Sequence, residues 1–354
     1  MPRLVGNNWR DGLRKNWNEN ISMKALVTGG GGFLGSAIVK ALLERGDNVR
    51  TIQRGDYPFL SEWGAETIKG DLTIQKDINH AVQGCDVIFH VAAKAGVWGA
   101  YDDYYQANVV ATKNVIDACK KNNVKYLVYT STPSVVFDGK DETGINESAP
   151  YVREFYNAYQ QTKTEAEQLV LNSNGEVLKT VALRPHLIWG PGDPHLVPRV
   201  ISRAKSGRLR MLGKKNNKVD SCYIDNAALA HLLAADCLVS DAKCAGKAYF
   251  ISNDEPLAMA ELINRILDAA NLLPVTKIIP ENLAFRIGAL LEQIYSILKI
   301  QNEPVMTRFI AKQLSTSHWF DLSAAKSDIN YEAKISIDEG MQRLKKYLNE
   351  NNSI

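Results

Sequence analysis

A tyrosine and a lysine, Tyr159 and Lys163, stand four residues apart in a segment with helical character. On a helix, two side chains at this spacing share a face at about 5–6 Å from each other. A free phenol ionises at about pH 10, and an adjacent ammonium favours the phenolate, so we expect the pKa of Tyr159 to be lowered. The pair is a candidate for general acid–base catalysis on a substrate oxygen. Because the same spacing also occurs by chance, its weight depends on the elements around it.

Two hydroxyl side chains, Ser131 and Thr132, follow directly on an apolar run that predicts a buried strand. Side chains at the carboxyl end of a central strand face the crevice in which open α/β sheets bind ligands. Either hydroxyl is therefore predicted to hold a substrate carbonyl oxygen beside the Tyr159 phenol. An ordinary turn rich in serine and threonine is the alternative, but it does not explain why Tyr159 and Lys163 follow.

A glycine cluster between a strand and a helix predicts a dinucleotide site. Gly29, Gly32 and Gly35 follow the apolar run 24–28 with G-x-x-G-x-x-G spacing. The first glycine permits a tight turn, the second admits a pyrophosphate, and the third allows close packing of helix on sheet. The helix N-terminus then offers unpaired N–H groups to the phosphates.

The end of the second predicted strand bears on the choice of cofactor. NAD sites usually place a carboxylate here to accept hydrogen bonds from the ribose 2′-hydroxyl. This chain has Gln53 and Arg54 instead, and a guanidinium suits a 2′-phosphate. We therefore expect NADP, while Asp56 shortly beyond keeps NAD as an alternative.

The surrounding elements alternate between strands and helices. Strands are predicted near residues 24–28, 48–53, 67–69, 86–90, 124–130 and 180–184. Helices are predicted near residues 33–45, 74–83, 104–121 and 158–174. This alternation predicts an α/β fold, a Rossmann-type doubly wound parallel sheet. After Pro185, shorter helices and a hairpin around 213–218 predict a smaller mixed C-terminal substrate lobe.

The predicted organisation has three parts. These are a flexible leader (1–22), an NAD(P)-binding domain (23–185) and a substrate-binding lobe (186–354) with some return of the chain to the first domain. The 354 residues are 45% hydrophobic and 23% charged, which excludes a disordered or fibrous chain. A net charge of +3 is too small to indicate nucleic-acid binding.

Five cysteines without a C-x-x-C pair predict buried thiols in a reducing cytoplasm. We expect no metal site, because no histidine stands at metal-ligand spacing with Cys or carboxylates. No apolar run reaches the roughly 20 residues that span a bilayer. The segment 283–300 contains Arg286 and Glu292, so it is expected to be amphipathic, and peripheral membrane contact stays open.

Together these features resemble the extended short-chain dehydrogenase/reductase family over residues 24–348. The resemblance rests on the glycine motif, Asp71-Leu72, His90-Val91-Ala92-Ala93, Asn108 with Thr112, the Ser131 and Thr132 hydroxyls, Tyr159-x-x-x-Lys163 and Arg184-Pro185. It implies that Lys163 also holds the nicotinamide ribose and that Thr132 aligns best with the catalytic hydroxyl, ahead of Ser131. The implied cofactor-binding residues are Gly29, Gly32, Phe33, Leu34, Gly35, Arg54, Asp71, Leu72, Ala92, Ala93, Lys94, Asn108, Tyr159, Lys163 and Pro185.

A narrower resemblance is to the 2-alkyl-3-oxoalkanoate reductases, in the 3β-hydroxysteroid dehydrogenase-like branch. It rests on the segments 94–99, 130–135, 187–193 and 223–228. It implies NADPH-dependent reduction of a long-chain 2-alkyl-3-oxo acid in bacterial olefin biosynthesis, by a homodimer that works beside other enzymes of that pathway. An apolar trough for the alkyl chains is expected from 283–300 with Trp319 and Phe320. The candidate cations for the substrate carboxylate are Lys94, Arg199 and Arg203, with an ordinary solvated surface charge as the alternative for each.

Other functions on the same fold stay open from sequence. A sugar-nucleotide epimerase or a sterol 3β-hydroxy dehydrogenase would use the same tyrosine. A 4,6-dehydratase is disfavoured, because Pro133-Ser134 rather than an Asp-Glu pair follows Thr132. A non-enzymatic NAD(P) sensor would typically lack the tyrosine, which is present as Tyr159.

Overall fold

A computed structural model describes residues 22–213 and 216–351. The predicted leader lies outside the described residues, apart from Ser22. The strands are β1 (Lys24–Thr28), β2 (Asn48–Gln53), β3 (Glu66–Lys69), β4 (Val87–His90), β5 (Tyr126–Thr130), β6 (Glu142–Ile145), β7 (Lys179–Pro185), β8 (Ile188–Trp189), β9 (Met211–Leu212), β10 (Lys218–Val219), β11 (Cys222–Tyr223), β12 (Lys247–Ile251), β13 (Leu257–Ala258), β14 (Ile278–Ile279) and β15 (His318–Phe320).

The α-helices are α1 (Phe33–Arg45), α2 (Pro58–Glu62), α3 (Gln75–Ala81), α4 (Tyr101–Tyr104), α5 (Ala111–Lys121), α6 (Ala158–Asn172), α7 (Leu196–Lys205), α8 (Ile224–Val239), α9 (Met259–Ala269), α10 (Glu281–Ile297), α11 (Arg308–Ser315), α12 (Ser323–Ile329) and α13 (Ile337–Glu350). A π-helical turn (Tyr105–Val110) joins α4 to α5, and a 3-10 turn (Pro133–Val135) follows β5.

Seven parallel strands form the central sheet in the order β12-β7-β5-β4-β1-β2-β3. The order reverses at β1, which pairs with β2 on one side and with β4 on the other. Ligands of open α/β sheets bind outside the carboxyl ends of the strands at such a switch point. The predicted Rossmann-type doubly wound sheet is confirmed, and its crevice opens where β1 ends at Thr28.

Helices cover both faces of this sheet because its strands are apolar on both sides. Leu26 and Val27 of β1 are both fully buried, although successive side chains of a strand point to opposite faces. Val27 belongs to a core shared with α1 and α8, whereas Leu26 belongs to a core shared with α3, α5 and α6. The continuous apolar run in the sequence thus reflects two cores, one on each face.

The C-terminal half contributes short strands to several small sheets. One has the order β13-β10-β15-β6, and β11 and β14 pair in parallel with β8 and β9. The hairpin predicted around residues 213–218 is wrong, because β9 pairs with β14 while β10 pairs with β13 and β15. β12 extends the central sheet beside β7.

The helices that carry the predicted site have identifiable ends. α1 ends at Gly46, whose φ of 98° is left-handed backbone that glycine adopts without strain. α6 begins after Asn157, whose side chain accepts the Gln160 N–H at 2.9 Å and so caps the helix. The single helix predicted over residues 104–121 is interrupted by the π-helical turn. None of the described helices combines the length and the hydropathy that crossing a bilayer requires.

Candidate active site

A cleft of about 1140 Å³ lies over the carboxyl ends of β1, β4, β5 and β7. The predicted residues that line it are Gly29, Gly32, Phe33, Leu34, Gly35, Arg54, Asp71, Leu72, Ala92, Ala93, Lys94, Ser131, Thr132, Tyr159, Lys163 and Pro185. The remaining predicted residue, Asn108, is buried behind the cleft. The structure therefore brings the predicted residues together, while their individual roles stay predictions.

The glycine loop follows a path that side chains would block. Gly29 has a φ of +69°, which favours glycine, and a Cβ there would lie 3.0 Å from the Ala92 Cα. A Cβ on Gly35 would lie only 2.2 Å from the Gly29 carbonyl oxygen. This close approach places the N-terminus of α1 at the cleft, where its unpaired N–H groups can meet a phosphate.

A buried hydrogen-bond relay fixes the neighbouring wall of the cleft. Oγ1 of Thr28 accepts two successive backbone N–H groups, one of them from Ala92 at 3.1 Å, so its own proton goes to Nδ1 of His90 at 2.9 Å. Nε2 of His90 then donates to Oγ1 of Thr112 at 2.9 Å. Burial lowers the pKa of His90 to about 3, so the ring is neutral. The relay holds Ala92 against the glycine loop.

Asn108 stands in the π-helical turn and supports the cleft from behind. Its Oδ1 accepts the Lys94 N–H at 2.8 Å, and its Nδ2 donates to the Lys94 carbonyl at 3.2 Å and to Oγ1 of Thr162 at 3.0 Å. The amide predicted to bind the cofactor is thus engaged within the protein. Asn108 ties α6 to the loop that carries Lys94, and its contact with the cofactor stays a prediction.

Lys163 is buried at the cleft, and its ammonium is held by two acceptors. Nζ donates to the Tyr129 hydroxyl and to the Thr130 carbonyl, each at 2.7 Å. Burial lowers the pKa of Lys163 to about 7, in spite of the opposing charge of Glu167. Near neutral pH this amine is therefore able both to carry and to release a proton.

Tyr159 lies beside Thr132, and its pKa moves in the direction opposite to the one predicted. Burial raises the pKa of Tyr159, and a hydrogen bond with Thr132 offsets this only in part. The predicted lowering is wrong, because the Lys163 ammonium is turned toward Tyr129 and Thr130 instead. The phenol is consequently protonated at neutral pH, which is the form that donates a proton.

The two hydroxyls after β5 differ in their hydrogen bonds. Thr132 caps the 3-10 turn by accepting the Ser134 N–H at 3.3 Å, its hydroxyl donates to Oγ of Ser134 at 3.2 Å, and it lies close enough to Tyr159 to act on the pKa of that phenol. Oγ of Ser131 is buried in the cleft wall without a hydrogen-bond partner among the described residues. Buried polar groups rarely stay unpaired, so Ser131 has a hydroxyl to offer a ligand. Both remain candidates for the substrate carbonyl, and Thr132 is the one that acts on the pKa of the Tyr159 phenol.

A buried ion pair couples α6 to the central sheet behind Lys163. Arg184 of β7 donates to Glu167 through Nε at 3.0 Å and through Nη2 at 2.6 Å. Tyr151 donates to the same carboxylate at 2.8 Å. The Glu167 and Arg184 side chains are 0% and 3% exposed. Because α6 carries both Tyr159 and Lys163, this pair helps to set where they stand.

The cleft fits a dinucleotide by its own geometry and chemistry. The glycine loop leaves room for a pyrophosphate at the α1 N-terminus. Besides Ser131, Gln53 at the end of β2 has a buried side-chain oxygen, Oε1, with no partner in the described part of the chain. Arg54 beside it is exposed at the cleft rim. Residues 22–213 and 216–351 contain no group of His, Cys, Asp or Glu arranged to hold a metal ion.

A second cavity, of about 650 Å³, adjoins the start of α6. Its lining residues include Trp98, Tyr104, Asn157, Ala158, Ala289, Ser296, Ile297 and Phe309. The segment 283–300 therefore contributes a wall of this cavity, and its role as an alkyl trough stays a prediction. Trp319 and Phe320 do not, since Trp319 packs over Gly144 and Phe320 stacks on Phe250 at 4.3 Å. That part of the prediction is wrong.

The three cations predicted to meet a substrate carboxylate are already engaged. Lys94 lines the cleft but pairs with Asp103 at 2.8 Å. Arg199 pairs with Glu303 at 3.1 Å, and Arg203 donates to a backbone carbonyl. Of the three, only Lys94 is placed where it could reach a ligand in the cleft.

Sequence reasoning missed several residues at the cleft. Tyr57 covers the glycine loop, where a Cβ on Gly31 would lie 2.3 Å from its ring. Asp193 accepts the N–H groups of His195 at 2.7 Å and Val197 at 2.9 Å, which brings His195 to the cleft wall. An aspartate just before a helix is a capping signal that the sequence does contain. No such signal marks Tyr57.

Comparison with known families and proteins gives a consistent picture. Residues 26–277 match the 3-beta hydroxysteroid dehydrogenase/isomerase family. A 2-alkyl-3-oxoalkanoate reductase of Shewanella oneidensis is 54% identical over 329 residues, which cover 91% of this chain and 85% of the relative. One of Stenotrophomonas maltophilia is 52% identical over 326 residues, which cover 91% and 98% of the two chains. The family resemblance predicted from the sequence is confirmed.

Solved structures share the fold at lower identity. A UDP-glucose 4-epimerase from Thermotoga maritima, crystallised with UDP-glucose, matches with a TM-score of 0.74 and 19% identity. The match covers 94% of this chain and 100% of the epimerase chain. At this identity the similarity establishes the fold alone.

Proposed function

Because this chain belongs to the 3-beta hydroxysteroid dehydrogenase/isomerase family, whose members are NAD(P)-dependent oxidoreductases, we propose that it reduces a 2-alkyl-3-oxoalkanoate with NADPH. The product would be the 2-alkyl-3-hydroxyalkanoate. The names of the two relatives above 50% identity support this substrate. The observation that carries the proposal is the convergence of Tyr159, Thr132 and Lys163 on one cleft beside a cradle for a dinucleotide.

The residues divide the work of reducing a ketone between them. When bound, the nicotinamide supplies the hydride that reduces C3 of the substrate. Thr132 or Ser131 would donate a hydrogen bond to the C3 oxygen and orient it; for Thr132 this means redirecting the proton that it donates to Oγ of Ser134 in the ligand-free cleft. Tyr159 transfers its phenolic proton to the same oxygen as negative charge develops there. The raised pKa of Tyr159 supports this direction, since a protonated phenol is the acid that reduction needs.

Lys163 restores the proton balance after each turnover. It would hold the nicotinamide ribose and share its proton with the Tyr159 phenolate through the bound ligands. A pKa of about 7 makes the ammonium a ready donor at neutral pH. The hydrogen-bond relay through Thr28 and His90 keeps the cleft wall at Ala92 fixed, so this part of the site is already in position before the substrate binds.

Several residues would hold the cofactor, and they favour NADP. The glycine loop and the α1 N-terminus would bind the pyrophosphate, and Asp71 and Leu72 would flank the adenine. Arg54 at the rim would pair with a 2′-phosphate, whereas Asp56 is not among the described residues that line the cleft. We propose NADPH as the reductant on this ground.

Removing the Arg54 guanidinium tests that choice. A charge-assisted contact of about 1.5–3 kcal/mol corresponds to roughly a tenfold to hundredfold change. We expect Arg54→Ala to lower kcat/KM for NADPH by that factor and to leave kcat/KM for NADH nearly unchanged. Lys69→Ala, a cation at the end of the neighbouring β3 outside the cleft lining, is the matched control. Equal losses with both cofactors would contradict the assignment.

The proposed reaction has a place in long-chain olefin biosynthesis. A branched 3-hydroxy acid is a substrate for enzymes that activate the acid and remove its carboxylate, so we propose that the chain works beside such enzymes in the cytoplasm. We also propose a homodimer, which light scattering on the purified protein would test.

Turnover on defined ketones tests the reductase itself. We expect NADPH oxidation with a 2-alkyl-3-oxo acid of long chain length, slower oxidation with a 3-oxosteroid, and no conversion of UDP-glucose to UDP-galactose. Products identified by mass spectrometry should gain two hydrogens. Epimerisation of the nucleotide sugar without net NADPH consumption would overturn the proposal. Tight cofactor binding with no turnover of any ketone would favour a sensor instead.

A further inference from the structure

Exposed aliphatic side chains are concentrated in one stretch of the chain. The large hydrophobic residues exposed between positions 273 and 305 are Leu273, Ile278, Leu283, Ile287, Leu290, Ile294, Ile297, Leu298 and Val305. Scattered exposed hydrophobics are normal on soluble proteins, but a contiguous apolar patch marks an interaction surface. The patch has α10 at its centre.

One face of α10 is apolar and faces outward. Leu283, Ile287, Leu290, Ile294 and Ile297 follow one another at intervals of three and four residues, so they form a single stripe along the helix. Leu290 is 58% exposed and Ile297 is 79% exposed. A stripe of this kind normally faces a core, and here it is exposed, with Ile297 at the edge of the second cavity.

α10 is attached to the protein through different, smaller side chains. Ala284 and Gly288 are its buried residues. A Cβ on Gly288 would lie 2.6 Å from the backbone of Thr307, so the helix packs closely against the start of α11. The outward stripe is therefore not needed to hold α10 in place.

The negative charges around the stripe have partners within the protein, whereas the positive charges have none among the described carboxylates. All three carboxylates between positions 273 and 305 are paired with cations of this chain: Glu281 with Lys312 at 2.7 Å, Glu292 with Arg308 at 2.6 Å and Glu303 with Arg199 at 3.1 Å. The three cations, Lys277, Arg286 and Lys299, have no carboxylate partner among the described residues. Arg286 falls between Leu283 and Leu290 on the helix surface, at spacings of three and four. The patch thus presents aliphatic side chains and uncompensated positive charge.

We propose that α10 docks in the interfacial region of an anionic lipid bilayer. Aliphatic side chains with flanking cations fit the acyl boundary and the negative headgroups of such a surface. A second copy of this chain would instead bring the same three cations against themselves. With 17 residues, the helix is about 25 Å long and lies along the surface rather than across it.

The docking would also determine how the substrate reaches the site, and this consequence rests on the proposed function. Ala289, Ser296 and Ile297 of α10 line the second cavity, next to Asn157 and Ala158 at the start of the helix that carries Tyr159. The mouth of that cavity would then face the lipid, and a long-chain 3-oxo acid would enter from the bilayer without crossing water. A short-chain 3-oxo acid that dissolves in water would not depend on the surface.

Sedimentation of the full-length protein with vesicles tests the docking. We expect the protein to bind vesicles of phosphatidylcholine that contain about 30 mol% of the anionic lipid phosphatidylglycerol. It should bind vesicles of phosphatidylcholine alone much more weakly. The double variant Leu290→Glu/Ile294→Glu should weaken binding at least about tenfold, and Arg286→Glu/Lys299→Glu about tenfold. Val177→Glu is the control, because Val177 is as exposed as Leu290 but is distant from α10 in the sequence; this variant should bind as the parent does.

Two further readouts separate this proposal from the reductase assignment. The Leu290→Glu/Ile294→Glu variant should keep the parent rate on a water-soluble short-chain 3-oxo acid and lose the stimulation by vesicles on a long-chain one. Failure of all ketone turnover with intact vesicle binding would refute the reductase and leave the docking standing. Equal sedimentation of the parent and this variant would overturn the docking. A parent dimer that the variant converts to monomers, without vesicle binding, would assign the face to a second copy.

Discussion

Tyr159→Phe is expected to lower kcat about 10²–10⁴-fold, the range that general acid catalysis supplies. The substitution removes the hydroxyl that donates the proton and retains the ring. Thr132 would still hold the C3 oxygen, so the loss falls on kcat rather than on KM. Steady-state NADPH oxidation with a 2-alkyl-3-oxo acid measures it. The change is the largest expected here for activity, because Tyr159 is the proposed proton donor and lies beside Thr132 in the cleft.

Binding of the cofactor distinguishes a lost proton donor from a damaged site. Tyr159→Phe should bind NADPH as the parent does in a fluorescence titration, since the glycine loop and Arg54 are untouched. Tyr126→Phe, a conservative change on β5 outside the cleft lining, is the matched control and should keep the parent rate. A Tyr159→Phe enzyme with more than about one-tenth of the parent kcat would exclude the phenol as the acid.

The sequence was informative wherever a local pattern determines the structure. α1 and β2 were predicted with the bounds that the structure shows, because Gly46 stops the helix and the β-branched residues Val49, Thr51 and Ile52 favour a strand. The glycine loop, the hydroxyls after β5 and the Tyr159–Lys163 pair were placed at one cleft because parallel strands bring their carboxyl ends to one edge.

The sequence could not give the features that depend on distant contacts. The pKa of Tyr159 depends on burial and on where the Lys163 ammonium turns, and Tyr129 and Thr130 decide that orientation. Strands of two residues, such as β9 and β10, carry too little periodicity to reveal their partners. The π-helical turn around Asn108 likewise has the composition of ordinary helix, so only its hydrogen bonds distinguish it.

Glu167→Gln is expected to lower the free energy of unfolding by about 3–5 kcal/mol, the cost of breaking one side of a buried ion pair. Arg184 would stay charged and 3% exposed, and a neutral amide cannot compensate it. Tyr151 would also lose its bond to a carboxylate. Urea unfolding followed by circular dichroism measures the change. Glu165→Gln, on the same helix but partly exposed, is the matched control and should cost less than about 1 kcal/mol.

A second replacement shows whether the unpaired charge is the cause. Adding Arg184→Met to Glu167→Gln removes the uncompensated cation, so part of the lost stability should return, since well-packed apolar groups often replace a buried pair at little cost. The Glu167 carboxylate also raises the pKa of Lys163. Without this carboxylate, Lys163 should lose its proton at a lower pH. The decline of activity with rising pH should therefore begin at a lower pH in Glu167→Gln than in the parent. If Glu167→Gln is as stable as Glu165→Gln, the pair does not anchor α6. The position of Tyr159 and Lys163 must then come from the packing of α6 alone.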